Sequence, residues 1–277
     1  MVQQESSRSA PEHSGMPALG LGTWQNDDPE QCTESVRTAL ETGYRHIDTA
    51  QAYGNEAAVG EGLAAASVDR EDVFLATKVW IDQLSYDDVL ESTAASLDRL
   101  GTDYLDLLYV HWPADAYDPE ETLSAFEELR EDGRIERIGV SNFEPSHLET
   151  AQAVTDAPIF ANQVEMHPLL PQRELREYCE EADIELVAYS PLARGDVFEV
   201  DVLTDIADEH DVSAAQVSLA WLRQKGVTAI PKATGADHIR DNWESLDLTL
   251  SDAEIGRIDD IDRRDRKVDP GFAPDSW

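Results

Sequence analysis

Short apolar runs alternate with longer amphipathic stretches along nearly the whole chain. The runs are ALGLGTW (18–24), YRHIDTA (44–50), VFLATKVW (73–80), YLDLLYVHW (104–112), RIGVSNF (137–143), FANQVEM (160–166), ELVAYSPL (185–192) and VTAIPKA (227–233). Between them lie stretches such as PEQCTESVRTALETG, YDDVLESTAASLDRLG and PEETLSAFEELREDG, with apolar residues at helical spacing between caps and glycine stops. Eight such units in succession predict an α/β protein, a single-domain (β/α)8 TIM barrel whose parallel sheet closes on itself. Two places depart from the rhythm. Residues 200–226 hold two helices, one of them extra, between the seventh and eighth strands. After the eighth strand, ADHIRDNWES and SDAEIGRIDDI read as further short helices, and the tail RRDRKVDPGFAPDSW predicts an irregular segment over one end of the barrel. Residues 1–15 read as a flexible N-terminal extension and 16–277 as the barrel.

The polar residues that end the runs carry the candidate chemistry. In order they are Thr23, Asp48, Lys78, His111, Ser141-Asn142, Gln163, Tyr189-Ser190 and Lys232. Successive units place consecutive strand ends side by side, and the C-terminal rim of such a barrel carries the active site. Asp48, Lys78 and His111 are therefore expected to converge there, with Tyr53 over them from the following loop. A phenol with a pKa of about 10 is a poor acid at neutral pH. A lysine beside it is expected to lower that value, with the aspartate holding the lysine charged and in place. A histidine nearby can orient a substrate oxygen. Such a set polarises a carbonyl and delivers a proton as its oxygen gains charge. No side chain donates hydride, so a reduction must draw it from a cofactor.

Charge narrows the setting. Fifty-eight acidic residues against 21 basic ones give a formal net charge of −37, while 41% of residues are hydrophobic. The hydrophobic content and regular periodicity argue against disorder, so the acidic excess predicts a protein of a salt-rich cytoplasm. It argues against nucleic acid or an anionic membrane as partner. Only four lysines occur, Lys78, Lys225, Lys232 and Lys267, so each retained one invites a reason. Cys32 and Cys179 lie far apart in predicted helices and read as buried thiols of a reducing compartment. No run of about 18 apolar residues occurs and the N-terminus lacks a signal-peptide core, so a soluble cytoplasmic protein is expected. Gly20-Leu21-Gly22 starts like a dinucleotide fingerprint, but position 25 is glutamine and no suitable βαβ unit follows. Glu165 and His167 lack the spacing of a metal site, and none is expected. The basic run RRDRK (263–267) is expected to pair with neighbouring acids.

The pieces MPALGLGTWQ, GYRHIDTAQAYGNE, LATKVW, DLLYVHWP, IGVSNF, NQVEMHP, AYSPLARG and IPKATGADHIRDN, in this order, resemble the aldo-keto reductases. The likeness is strongest to the prokaryotic branch of diketogluconate and glyoxal-type reductases. It implies NAD(P)H-dependent reduction of small aldehydes or ketones, keto-sugars and ketoaldehydes among them. Tyr53 would be the general acid, Lys78 and Asp48 its tuning pair, and His111 the substrate-orienting group. The cofactor positions implied are Thr23, Trp24, Asp48, Ser141, Asn142, Gln163, Tyr189, Ser190, Pro191, Leu192, Lys232, Ala233, Thr234, His238, Asp241 and Asn242. Of these, Ser141, Asn142 and Gln163 would position the carboxamide and Tyr189 would stack on the nicotinamide ring. Trp24, Trp80, His111 and Trp112 would wall the substrate pocket, joined by Phe272 and Trp277. Where the family carries a hydroxyl and an arginine for the adenosine phosphate, this chain has Ala233 and His238, with Arg240 two residues on. Lys232 is retained, so NADPH is expected, with NADH as the alternative. A monomer acting on a small carbonyl substrate is expected. The other reading is a nicotinamide-binding regulatory or interaction subunit on the same barrel.

Overall fold

The computed structural model describes residues 9–274. Each predicted apolar run carries one strand, the sixth beginning one residue ahead of its run: β3 (Leu21–Gly22), β4 (His46–Asp48), β5 (Phe74–Val79), β6 (Leu107–Val110), β7 (Ile138–Ser141), β8 (Ile159–Glu165), β9 (Glu185–Tyr189) and β10 (Thr228–Ala229). Neighbours pair in parallel and in chain order. Bridges Leu19↔Ala229 and Gly22↔Lys232 close the sheet between its first and last strands. Two glycines make that seam possible. A Cβ on Gly22 would lie 2.7 Å from the Ile230 carbonyl oxygen, and one on Gly20 would lie 2.7 Å from the His46 ring. The Gly-Leu-Gly run thus serves barrel closure by close approach of backbones.

Outside the barrel run α1 (Pro29–Thr42), α2 (Glu56–Ala65), α3 (Tyr86–Leu100), α4 (Pro119–Glu131), α5 (Pro145–Val154) and α6 (Arg173–Glu181). The expected pair between the last two strands is α7 (Asp201–His210) and α8 (Ala214–Gln224), followed by α9 (Ala236–Glu244) and α10 (Asp252–Asp259). Local chemistry sets these starts. Asp28 caps α1 and Asp118 caps α4, each before a proline at the first helical position, and Ser251 opens α10 with a capping box to Glu254. Among the described residues no helix is long and apolar enough to cross a membrane. At the N-terminal end, residues 12–13 of the expected extension form β1 (Glu12–His13), antiparallel to β2 (Met16–Pro17), and Met16 is fully buried.

The period-2 alternation of the strands sorts their side chains. Leu75, Val79, Leu108, Val110, Ile138, Val140, Val164, Leu186 and Ala188 belong to the large cluster shared with the helices. The opposite parity, Phe74, Ala76, Leu107, Tyr109, Ala161, Val187 and Ile230, forms a separate cluster with Met16. Continued up each strand, that second parity reaches Asp48, Lys78, His111, Ser141, Gln163, Tyr189 and Lys232. The inner face is apolar low in the barrel and polar at its C-terminal mouth.

Candidate active site

Lys78 is the centre of the mouth. Its Nζ donates to Asp48 Oδ1 at 2.5 Å and to the Thr49 carbonyl at 2.8 Å, and lies 3.4 Å from the Tyr53 hydroxyl. Asp48 Oδ2 accepts from Gln163 Nε2 at 2.7 Å, so both carboxylate oxygens are engaged. Tyr53 ends a short helical turn after β4, and Gly54 follows it in the left-handed region at φ 67°. The loop is held at two points. Gln51 accepts the Trp80 N–H at 3.0 Å, while Asn55 accepts the Thr49 hydroxyl at 3.0 Å and donates to the Thr23 carbonyl at 2.8 Å. Behind Lys78, buried Glu56 takes hydrogen bonds from Thr77 Oγ1 (2.6 Å) and from Arg99 Nε and Nη2 (2.8 and 2.6 Å). Apart from Thr49, these partners of Asn55 and Glu56 are at least 21 residues away in the chain.

The Tyr53 and His111 rings meet edge to face at 5.9 Å, and Trp80 meets His111 at 5.0 Å. Asn142, at φ 64°, donates to the His111 carbonyl and to Ser141 Oγ, both at 3.0 Å, and accepts from the Tyr189 hydroxyl at 2.9 Å. Ser141 Oγ in turn donates to the Gln163 carbonyl at 2.8 Å. The expected tuning of Tyr53 by Lys78 needs correction. Burial, and after it the Asp48 charge, holds the Tyr53 phenol well above its ordinary value. Burial also lowers the Lys78 ammonium, against the pull of Asp48. Tyr53 is therefore protonated at rest, with Lys78 held against Asp48 beside it. Burial, reinforced by Lys78, brings His111 well below the usual imidazole value, so it is neutral.

A cavity of about 740 Å³ opens over this floor, within the range of ligand sites. Its walls include Thr23, Trp24, Trp80, Trp112, Ser190, Pro191, Leu192 and Lys232, together with Tyr53, His111, Asn142 and Tyr189. Arg194, Gly195, Val268, Pro270 and Phe272 also line it. Of these, Arg194 was missed, although it is the one basic residue in the turn after SPL; its guanidinium lies 4.7 Å from the Trp24 ring centroid. Ala233, Thr234, His238, Asp241 and Asn242 are not brought to the cavity wall and lie beyond Lys232. Asp241 accepts from Ser213 Oγ and Gln216 Nε2, both at 2.7 Å, which ties α9 to the start of α8. His238 is exposed, and Arg240 pairs with Asp237 at 3.5 Å beside a separate depression that Arg37 and Trp243 line. Trp277 lies outside the described residues.

The tail crosses the mouth. Phe272 packs edge to face against Trp80 at 5.8 Å and Trp112 at 5.5 Å. As expected of the basic run, Arg263 and Lys267 pair with acids, Asp196 and Asp265. Glu165 and His167 bond to each other at 2.9 Å, and among the described residues no group of three or more His, Cys, Asp or Glu could hold a metal.

Residues 18–263 match the Aldo/keto reductase family. The chain belongs to that family. It is 43% identical over 261 residues to the glyoxal reductase of Bacillus subtilis (strain 168), covering 93% of this chain and 94% of that one. It is 39% identical over 266 residues to the methylglyoxal reductase DkgB of Salmonella typhi, covering 95% of this chain and 99% of that one. A solved aldo-keto reductase from a Medee basin deep-sea metagenome library superposes with a TM-score of 0.88 at 35% identity, over 94% of this chain and 96% of that one. The chain is thus an oxidoreductase of carbonyl groups on a (β/α)8 barrel, with a glyoxal reductase among its relatives. Its cleft suits a nicotinamide dinucleotide: its wall offers the Lys232 and Arg194 cations together with the Asn142 and Gln163 amides and the Tyr189 ring.

Proposed function

We propose that this reductase converts small aldehydes and α-oxoaldehydes to alcohols with NADPH, Tyr53 giving the proton. The observation that carries this is the contact of Lys78 Nζ with Asp48 (2.5 Å) and with the Tyr53 hydroxyl (3.4 Å) on the cavity floor beside His111. Relatives named for glyoxal and methylglyoxal reduction support the substrate class. Bound NADPH would supply the hydride, held by Ser141, Asn142 and Gln163 at its carboxamide, Tyr189 against its ring and Lys232 towards its phosphates. Neutral His111 offers an imidazole N–H that orients the carbonyl oxygen. Tyr53 stays protonated until that oxygen gains negative charge, then releases its proton to it. The phenolate left behind lies beside the Lys78 ammonium, and this attraction is strongest once the proton has moved. The pair therefore stabilises the product of proton transfer more than the resting phenol.

Lys232, kept in a chain with few lysines, favours NADPH over NADH, although Ala233 and His238 leave its adenosine end with fewer contacts. Two free, buried cysteines fit a reducing cytoplasm, and a monomer holds every residue named here. The test is Tyr53→Phe. Carbonyl reduction should fall by a factor of about 10² to 10⁴ while NADPH affinity, read by fluorescence quenching, is nearly unchanged. Full turnover in the variant would remove Tyr53 from the role of acid. Parallel titrations with NADPH and NADH give the cofactor preference, and tighter NADH binding would reverse the assignment.

A further inference from the structure

Glu165 has no part in the proton chemistry above, yet it is a fully buried carboxylate at the end of β8. Its Oε1 accepts the Lys267 backbone N–H at 2.7 Å and its Oε2 accepts that of Val268 at 2.8 Å. His167, also fully buried, places Nε2 2.9 Å from Oε1, and the Asp265 N–H reaches the Leu169 carbonyl at 2.9 Å. Three residues of the tail are thereby stitched to the end of β8 and the segment that follows it. Directly beyond this latch, Val268, Pro270 and Phe272 turn into the cavity wall. At its outer side, Lys267 Nζ joins Asp196 (2.7 Å) and Asp265 (2.8 Å). The Lys267 ion pairs are only partly buried and so open to screening, whereas the hydrogen bonds to the fully buried Glu165 carboxylate are strong and sheltered. The inner latch therefore decides where the strap lies.

We infer that Glu165 is a positioning residue for substrate selection: through two backbone N–H groups it sets the strap that carries the Phe272 wall of the chamber. The inference rests on the reductase reading of the site. Phe272 closes an aromatic box with Trp80 and Trp112, at 5.8 and 5.5 Å. A carbonyl substrate with a flat apolar substituent gains from that box, while a three-carbon oxoaldehyde is bound by the floor residues alone. Glu165 thus governs how strongly aromatic aldehydes are favoured over small ones.

The experiment compares benzaldehyde and methylglyoxal in the full-length enzyme and in Glu165→Gln, which keeps the side-chain volume but turns an NH₂ group towards a backbone N–H. Benzaldehyde KM should rise about tenfold, with methylglyoxal KM, kcat and NADPH affinity nearly unchanged. Phe272→Ala should raise the benzaldehyde KM in the same direction, and the benzaldehyde KM of the double variant should be no worse than that of either single one. Hydrogen exchange at the Lys267 and Val268 amides should be slow in the parent and fast in Glu165→Gln. Equal losses for both aldehydes, additive effects in the double variant, or unchanged amide exchange would each overturn the latch. Should Glu165→Gln fail to fold, Lys267→Pro removes one donor from the strap side and carries the same comparison. Absence of turnover with any aldehyde in the parent would defeat the reductase reading instead, and amide exchange would still report on the latch.

Discussion

Tyr53 and His111 are both held in their neutral forms, Tyr53 with its pKa raised and His111 with its pKa lowered, and burial is the first cause in each case. This separates the pH dependence of activity from that of stability. Reduction should show no acid limb near the ordinary imidazole value of about 6.5, because His111 does not take up a proton there. An alkaline limb would report Lys78 losing its charge below its ordinary value, before Tyr53 ionises. Stability behaves differently. His111 and His46 have lowered values in the folded chain, so the unfolded chain binds more protons once the pH falls below about 6.5. Stability from these groups is complete above that pH and is lost as the pH falls through it towards their folded values. Urea midpoints should therefore drop between pH 7 and pH 5 while kcat/KM stays level; a kcat/KM that fell with an imidazole pKa would contradict a neutral His111. Asp48, Lys78 and His111 were legible because a strand end recurs once per βα unit and the rim collects them. The protonation state of Tyr53 was not, since it depends on how far Asp48 cancels Lys78. Nor was the work of Glu165, whose strap partners are 102 and 103 residues away.

Among the elements, helix starts were legible from caps and prolines, whereas the first and last barrel strands came out shorter than their apolar runs. β3 and β10 are two residues each. Pro231 has no N–H to give a ladder, so pairing beyond Ala229 continues only as the bridge between Gly22 and Lys232. Helical glycines were equally opaque. In α2, Gly60 faces the end of α3, where an added Cβ would stand 2.7 Å from the carbonyl oxygens of both Arg99 and Leu100. Gly62 faces α1, 2.7 Å from Val36 Cβ. Replacing glycine by alanine in a helix gains up to about 1 kcal/mol of propensity, but overpacking against rigid backbone costs about 1–3 kcal/mol. Gly60→Ala should be destabilising by about 1–2 kcal/mol in urea unfolding. Gly256→Ala in α10, where a Cβ meets nothing within 4 Å, should stabilise instead. A stabilised Gly60→Ala would mean that α2 and α3 do not pack this closely.

For the whole molecule the governing quantity is a net charge of −37. Many of its cations are already committed: Arg37 to Glu34 and Glu41, Arg99 to Glu56, Arg257 to Glu209, Lys225 to Asp259. The acidic excess is left to repel itself, over a screening length of about 30 Å at 0.01 M salt and about 3 Å at 1 M. The urea midpoint should therefore climb from dilute buffer to molar KCl; a midpoint independent of KCl would remove salt adaptation from the account. The same charge bears on traffic into the cleft. Lys232 and Arg194 put two cations, a small threshold, on the cavity wall of a body with a net charge of −37. An anionic dinucleotide approaching in dilute salt meets the far-reaching repulsion first and the threshold last. In molar KCl only the threshold is still within range. Association should therefore quicken as salt is added, the reverse of ordinary electrostatic steering, and stopped-flow quenching by NADPH across that range would register it as a rising on-rate.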